Sequence, residues 1–218
     1  MGMEHVWTGI RPRAVLFDLL TGLIDSWTLW ASVAGGRDGR RWRETYLRKT
    51  YAEAAYRPYE DLVREAAVDS GLPAAFADCL VARYGELEPW PEVGEVLARL
   101  AEDVPLAVVT NCSDELGHVA AARIGIAFKA IVTAERAGYY KPHPRPYRLA
   151  LEALGLRPDE CLFVAGSAYD LTGAASVGLP VFWHDRIGMT APPGSPAPVG
   201  RYDTLFPLLP MVLGTPNA

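Results

Sequence analysis

The chain lacks most of the features that mark specialised proteins. No apolar run approaches the roughly 20 residues needed to cross a bilayer, and Met1 to Pro12 has no apolar core of a secretory signal. The expectation is a soluble, cytoplasmic protein. Basic charge is not in excess: 21 Lys and Arg against 26 Asp and Glu give a net charge of −5, which argues against general affinity for nucleic acid or anionic membranes. Cysteine is scarce. Cys79, Cys112 and Cys161 are widely spaced and form no CxxC pattern, so they read as reduced thiols, with Cys112 beside Asn111 the one to watch for proximity to a pocket. Repeats and low-complexity blocks are also missing. What abounds is apolar side chain: half of the 218 residues are hydrophobic, enough for one domain with an insertion or two small domains.

Short apolar runs at Ala14–Phe17, Leu106–Val109, Ala130–Thr133, Cys161–Ala165 and Val181–Trp183 read as buried parallel strands. Helical stretches separate the last four, one starting after a candidate N-cap at Ser113, one over Pro146–Leu154 and one from Asp170 to just before Gly178. This alternation predicts an α/β fold with a doubly wound, Rossmann-like parallel sheet. Between the first two strands the rhythm breaks into helices over Trp27–Val33, Asp38–Ala67 with a break near Pro58, and Ala74–Tyr84. Residues 26–90 are therefore expected to form a helical cap inserted into a core of residues 1–25 and 91–218. The stretch from Ala191 to Pro198 reads as irregular.

Asp18 is the most informative polar residue. It ends the first apolar run, and Thr110-Asn111, Lys141-Pro142 and Asp170 follow, each beside or shortly after another run. Open α/β sheets carry their chemistry at the carboxyl ends of the strands, which makes these residues the candidate site. Each also has an ordinary structural meaning. Asp170 and Thr110-Asn111 stand where helix caps stand, Lys-Pro pairs are common on surfaces, and Arg43 lies in a charged run from Arg37 to Arg48 that would ordinarily be a solvated helix face. His143 and His184 show no partner pattern and read as surface or hydrogen-bonded groups. Trp27, Trp30, Trp42, Tyr46, Tyr51 and Tyr56 read chiefly as cap packing, with one or two facing substrate.

Phe17-Asp18-Leu19-Leu20-Thr21-Gly22-Leu23, Val109-Thr110-Asn111, Lys141-Pro142 and Asp170 together resemble the haloacid dehalogenase superfamily, in motif order and from Val15 to Arg186. The resemblance implies that Asp18 is a nucleophile forming a covalent ester. A carboxylate is already ionised at neutral pH, and water can cleave the ester in a second step. Phosphatases of that superfamily carry Asp-x-Asp at the first motif and Gly-Asp before the last aspartate to hold magnesium. Here Leu20 and Ala165-Gly166 stand at those places, leaving Asp18 and Asp170 as the remaining carboxylates for a cation that wants octahedral oxygen ligands. Neither a catalytic metal nor a cofactor is expected.

The subgroup without those carboxylates is the 2-haloacid dehalogenases. Lys141 to Tyr147 is similar to their lysine motif, Trp42-Arg43-Glu44 to their Trp-Arg pair, and Phe163–Gly173 with Phe182–Arg186 to their final strand, aspartate helix and Trp-x-x-Arg run. The roles this implies are attack by Asp18, stabilisation of the carboxylates by Lys141 and activation of water by Asp170. Thr110 and Asn111 would bind the carboxylate of a small acid substrate and Arg43 would meet the leaving group. Tyr147 and Tyr169 would line the pocket, with Thr21 and Ser167 as further substrate-binding residues. A homodimer is implied by the resemblance alone.

The match has departures. The dehalogenase first motif is Asp-x-Tyr-Gly-Thr, whereas this chain reads Asp18-Leu19-Leu20-Thr21-Gly22; a serine and an asparagine of the last motif become Ala165 and Ser167. Both changes remove polar or shaping groups near the ester carbonyl, where fixed donors matter most. The superfamily also contains a hydrolase of L-azetidine-2-carboxylate, in which aspartate attack at C2 opens a strained ring, and this is the alternative reading. A cationic Arg43 suits a departing anion and suits an ammonium poorly. Members with eroded motifs also serve as binding proteins, but retention of Asp18, Lys141 and Asp170 together argues against that.

Overall fold

The computed structural model describes residues 11–214, so most of the Met1–Pro12 segment lies outside the described residues. Its centre is a six-stranded sheet in the order β3-β2-β1-β4-β5-β6, with every pairing parallel. The strands are β1 (Ala14–Phe17), β2 (Leu106–Thr110), β3 (Ala130–Thr133), β4 (Cys161–Ala165), β5 (Val181–His184) and β6 (Gly200–Tyr202). Burial explains why four-residue runs suffice. In β1, Val15 and Phe17 enter the apolar core on one face and Ala14 and Leu16 the core on the other. The two-residue period of a strand divides the run between two helical layers.

The helices are α1 (Ser26–Ala34), α2 (Gly36–Ala52), α3 (Tyr59–Asp69), α4 (Ala75–Ala82), α5 (Val93–Ala101), α6 (Asp114–Ala122), α7 (Ala134–Ala137), α8 (Pro144–Leu154), α9 (Asp170–Ser176) and α10 (Leu208–Leu213). None of the described helices is long and apolar enough to cross a membrane. Helices α1 to α4 fill the gap between β1 and α5, pack against one another and contribute no strand. The segments entering and leaving this group run side by side: Ile24 and Pro89 form an antiparallel bridge, and the Trp90 N–H donates to the Leu23 carbonyl at 2.9 Å.

Differences from the sequence expectation are local. Strand β6 was not expected, because Gly200-Arg201-Tyr202 has no apolar run and pairs at the sheet edge. Helices α7 and α10 were likewise not anticipated. Helix α8 starts two residues earlier than expected, at Pro144, where proline costs no backbone hydrogen bond. Ser113 occupies the N-cap position of α6, yet its hydroxyl donates to Glu60 at 2.8 Å instead of capping the helix.

Candidate active site

The carboxyl ends of β1, β2 and β4 converge where the chain's crossovers diverge to opposite sides, the topological switch point of such a sheet. Asp18 follows β1, Thr110 ends β2, and Asp170 opens α9 five residues after β4 ends. Lys141 comes from the loop between α7 and α8 and is fully buried. Its Nζ lies 2.7 Å from Asp18 Oδ1 and 3.0 Å from Asp170 Oδ1, joining the two carboxylates. The Gly22 N–H donates to Asp18 Oδ2 at 3.1 Å, so the first-motif turn folds back to hold its own aspartate.

The electrostatics follow from burial. Burial alone would lower the Lys141 ammonium, but Asp170 and Asp18 together hold it above its usual range, so it stays charged. Burial pushes the Asp170 carboxyl up to about 6, with Lys141 pulling it down and Asp18 pushing it further up. One lysine therefore serves two acids, and Asp170 titrates within reach of neutral pH.

A close backbone approach explains the missing second acidic group. A Cβ on Gly166 would lie 2.1 Å from the Gly22 amide nitrogen and 2.5 Å from the Thr21 carbonyl carbon. No side chain fits there unless the loop after β1 moves, so an aspartate at 166 is sterically excluded. Among the described residues no group of three or more His, Cys, Asp or Glu is arranged to hold a metal ion.

Helix α2 supplies the other wall. Arg43, Tyr46, Leu47, Thr50 and Tyr51 recur at three- and four-residue spacing and form one face, while Trp42 turns away and donates to the Val63 carbonyl on α3 at 2.9 Å. Arg43 is only 2% exposed, contrary to a solvated helix face. Its guanidinium carbon sits 5.6, 5.2 and 5.1 Å from the rings of Trp27, Trp30 and Tyr46. One terminal nitrogen reaches Ser26 Oγ at 3.1 Å and Thr21 Oγ1 at 3.4 Å, while Nε and the other terminal nitrogen are buried without a partner. Asp18, Leu20, Thr21, Arg43, Tyr46, Leu47, Tyr51, Thr110, Asn111 and Ser167 bound a shared cavity of about 10 Å³, room for roughly one water.

The remaining expected residues take distinct places. The Thr110 hydroxyl is buried and unpartnered beside the cavity. Asn111 faces it too, but its carboxamide is engaged with the Lys141 backbone, accepting from N–H at 2.6 Å and donating to the carbonyl at 3.0 Å. That side chain fixes the lysine loop and keeps one of its two N–H donors free at the cavity. Tyr147 lies behind Asp170, donating to Oδ1 at 3.0 Å, and does not border the cavity. Tyr169 borders a surface cleft next to it and stacks on Tyr51 at 4.8 Å. Ser167 Oγ accepts from the Tyr169 N–H at 3.3 Å. Cys112 is buried against Tyr84, and burial pushes its thiol up to about 12, which makes it unreactive near neutral pH. His143 caps α8, accepting from the Arg145 N–H at 3.2 Å, and His184 is buried with Nδ1 2.8 Å from the Gly22 carbonyl. Leu47 and the individual parts of Tyr46 and Tyr51 were missed from sequence, although their spacing from Arg43 along one helix face was an available signal; Ser26, at the start of α1, was missed with no such signal.

Known proteins carry the same arrangement of elements. The (S)-2-haloacid dehalogenase of Xanthobacter autotrophicus is 28% identical over 196 residues, spanning 82% of this chain and 77% of its own. The (S)-2-haloacid dehalogenase of Pseudomonas sp. strain YL is 29% identical over 194 residues, spanning 81% and 84%. The structure of the X. autotrophicus L-2-haloacid dehalogenase with chloropropionic acid covalently bound shares the fold, with a TM-score of 0.83 at 24% identity over 94% of this chain and 100% of that one. A family model for haloacid dehalogenase-like hydrolases matches residues 12–178, a span that opens just before β1 and closes after α9. Because that span holds Asp18, Lys141 and Asp170 on their expected elements, the chain belongs to the haloacid dehalogenase-like hydrolases.

Proposed function

We propose that the protein hydrolyses small 2-substituted carboxylic acids through an ester on Asp18, with 2-haloacids as the favoured substrates. The observation that carries this reading is Arg43, a buried cation at the Asp18 cavity with no carboxylate partner and two unbonded nitrogens among the described residues. A buried charge without a counter-ion is costly, and the cost falls when an anion forms beside it. Displacement at C2 supplies that anion.

An Asp18 oxygen attacks C2 while the C2–halogen bond breaks, and the halide leaves with the bonding pair toward Arg43. The substrate carboxylate meets the Thr110 hydroxyl and the positive potential at the start of α6. Water then adds to the ester carbonyl and Asp170 takes its proton. The bond between the Asp18 carbonyl carbon and the product oxygen breaks, releasing a 2-hydroxy acid and regenerating the carboxylate. Residues 26–90 act as a cap hinged at the paired Ile24 and Pro89 segments, because a cavity of this size admits an acid only after opening.

Two predictions test this reading. Halide is released from 2-chloropropionate, and Arg43→Ala lowers kcat on the order of a hundredfold with a smaller rise in KM, since the charge develops in the transition state. Consumption of L-azetidine-2-carboxylate without halide release from the haloacid would reverse the choice of leaving group, and inertness toward both would leave a binding role. EDTA leaves turnover unchanged, because Lys141 already bridges the two acids and Gly166 has no room for a third. Restoration of chelated protein specifically by Mg²⁺ would revive a phosphatase.

A further inference from the structure

Asp170 draws its hydrogen bonds from an unequal set of elements. Lys141 reaches both carboxylate oxygens, at 3.0 Å to Oδ1 and 3.2 Å to Oδ2. Tyr147, from α8, donates to Oδ1 at 3.0 Å. The last donor comes from the other side of the cavity, where Tyr51 near the end of α2 donates to the same Oδ1 at 3.0 Å. Ala165 offers no donor, and Ser167 Oγ, which accepts from the Tyr169 N–H and lies against the Tyr51 phenol, makes no bond to the Asp170 carboxylate. Two phenols thus occupy Oδ1, leaving Oδ2 the less encumbered oxygen.

We infer that Tyr51 is a positioning residue for ester hydrolysis: its phenol, carried on α2, fixes the Asp170 carboxylate so that Oδ2 is the oxygen presented to water. This rests on the displacement reading above. Other bonds from α2 to the core end on neutral groups, as in Tyr46 to the Asn111 carbonyl at 2.8 Å and Arg43 to the Thr21 hydroxyl. Tyr51 ends on a carboxylate. Its ring is held from both sides of the bond. It stacks on Tyr169, and the chain beyond α2 is fastened to the Lys141 loop by the Tyr56 N–H to the Gly138 carbonyl at 2.9 Å and by Tyr140 Oη to the Arg57 carbonyl at 2.8 Å. Burial, then Asp170 and Asp18, push the Tyr51 phenol well above its ordinary range, so it remains a donor at every relevant pH. The charged and titratable groups facing Asp170 are Asp18, Lys141, Tyr147 and Tyr51, and removing the Tyr51 donor destabilises the ionised carboxylate.

The test is Tyr51→Phe, which keeps the ring and its stack. Single-turnover kinetics with 2-chloropropionate should show the Asp18 adduct forming at the wild-type rate and decaying roughly tenfold more slowly, as expected for loss of a hydrogen bond to a charged group. The acid limb of kcat should move to higher pH. Tyr169→Leu removes the stack but not the donor and separates packing from hydrogen bonding: a silent Tyr51→Phe with an impaired Tyr169→Leu overturns the assignment. ¹³C-carboxyl aspartate titration of ligand-free protein reads the Asp170 midpoint directly. A rise in Tyr51→Phe supports the inference, and an unchanged midpoint overturns it. Absence of any adduct on wild-type Asp18 would sink the displacement reading, while the titration still decides the role of Tyr51.

Discussion

Asp18→Asn is expected to remove turnover by several powers of ten with the fold retained, because the substitution keeps the shape and deletes the nucleophile. Asn can still accept from Gly22 through its side-chain oxygen, so the turn after β1 keeps its bond. Asp170→Asn should fail differently. Its nucleophile is intact, the ester forms, and without the base it accumulates as a mass adduct on the Asp18 peptide. A single turnover of wild-type enzyme in ¹⁸O water should place the label in Asp18 before it reaches product. Label found in product alone during that first turnover would replace the covalent route with direct attack by water.

The second large effect concerns Lys141. Lys141→Met removes the ammonium that lies within hydrogen-bond distance of both buried carboxylates, leaving two acids facing each other. Breaking such a pair costs about 3–5 kcal/mol, so the variant should be markedly less stable at pH 7.5. The sign with pH follows from Asp170. Its carboxyl already stands at about 6 through burial, and loss of the neighbouring cation raises it further. A carboxyl with a raised folded pKa destabilises the fold above that value and less so as it takes up a proton. The deficit relative to wild type should therefore shrink as pH falls from 7.5 to 5.5 in thermal melts. Turnover at pH 7.5 should fall by several powers of ten, because Lys141 no longer favours the ionised form of Asp170 and Asp18 has lost its positioning contact. A variant equally unstable at both pH values would show that the lysine contributes packing and not charge.

Most of the fold was legible because it rests on local pattern. Runs such as Ala14–Phe17 and Cys161–Ala165 are apolar at every position, which only a strand covered on both faces requires, and the missed strand β6 is the one without such a run. Asp18, Lys141 and Asp170 could be picked out by their motifs, and the helical insertion by its length. Spacing could not say that Arg43 leaves the solvent, since a charged run such as Arg37 to Arg48 places its residues all around a helix and only packing decides which face is covered. It likewise could not tie Asn111 to the lysine loop, because that contact depends on a loop 30 residues away.

The sequence by itself determined five of the six strands and most of the helices in their order, the charged residues Asp18, Lys141 and Asp170 as candidates, and the lack of a second acid at Leu20 and Gly166. It could do so because strand burial and motif order are written in neighbouring residues. The tertiary structure decided which groups share a hydrogen bond: Lys141 between two carboxylates, Gly166 against the Gly22 backbone, a guanidinium without a counter-ion, and Tyr51 reaching Asp170 across 119 positions of chain. The first two contacts join loops that meet when the sheet brings the ends of β1 and β4 and the lysine loop together, the last two form when helices α1 to α4 settle over it, and their strength depends on distances of a few ångströms and on exclusion of water, which no local pattern encodes.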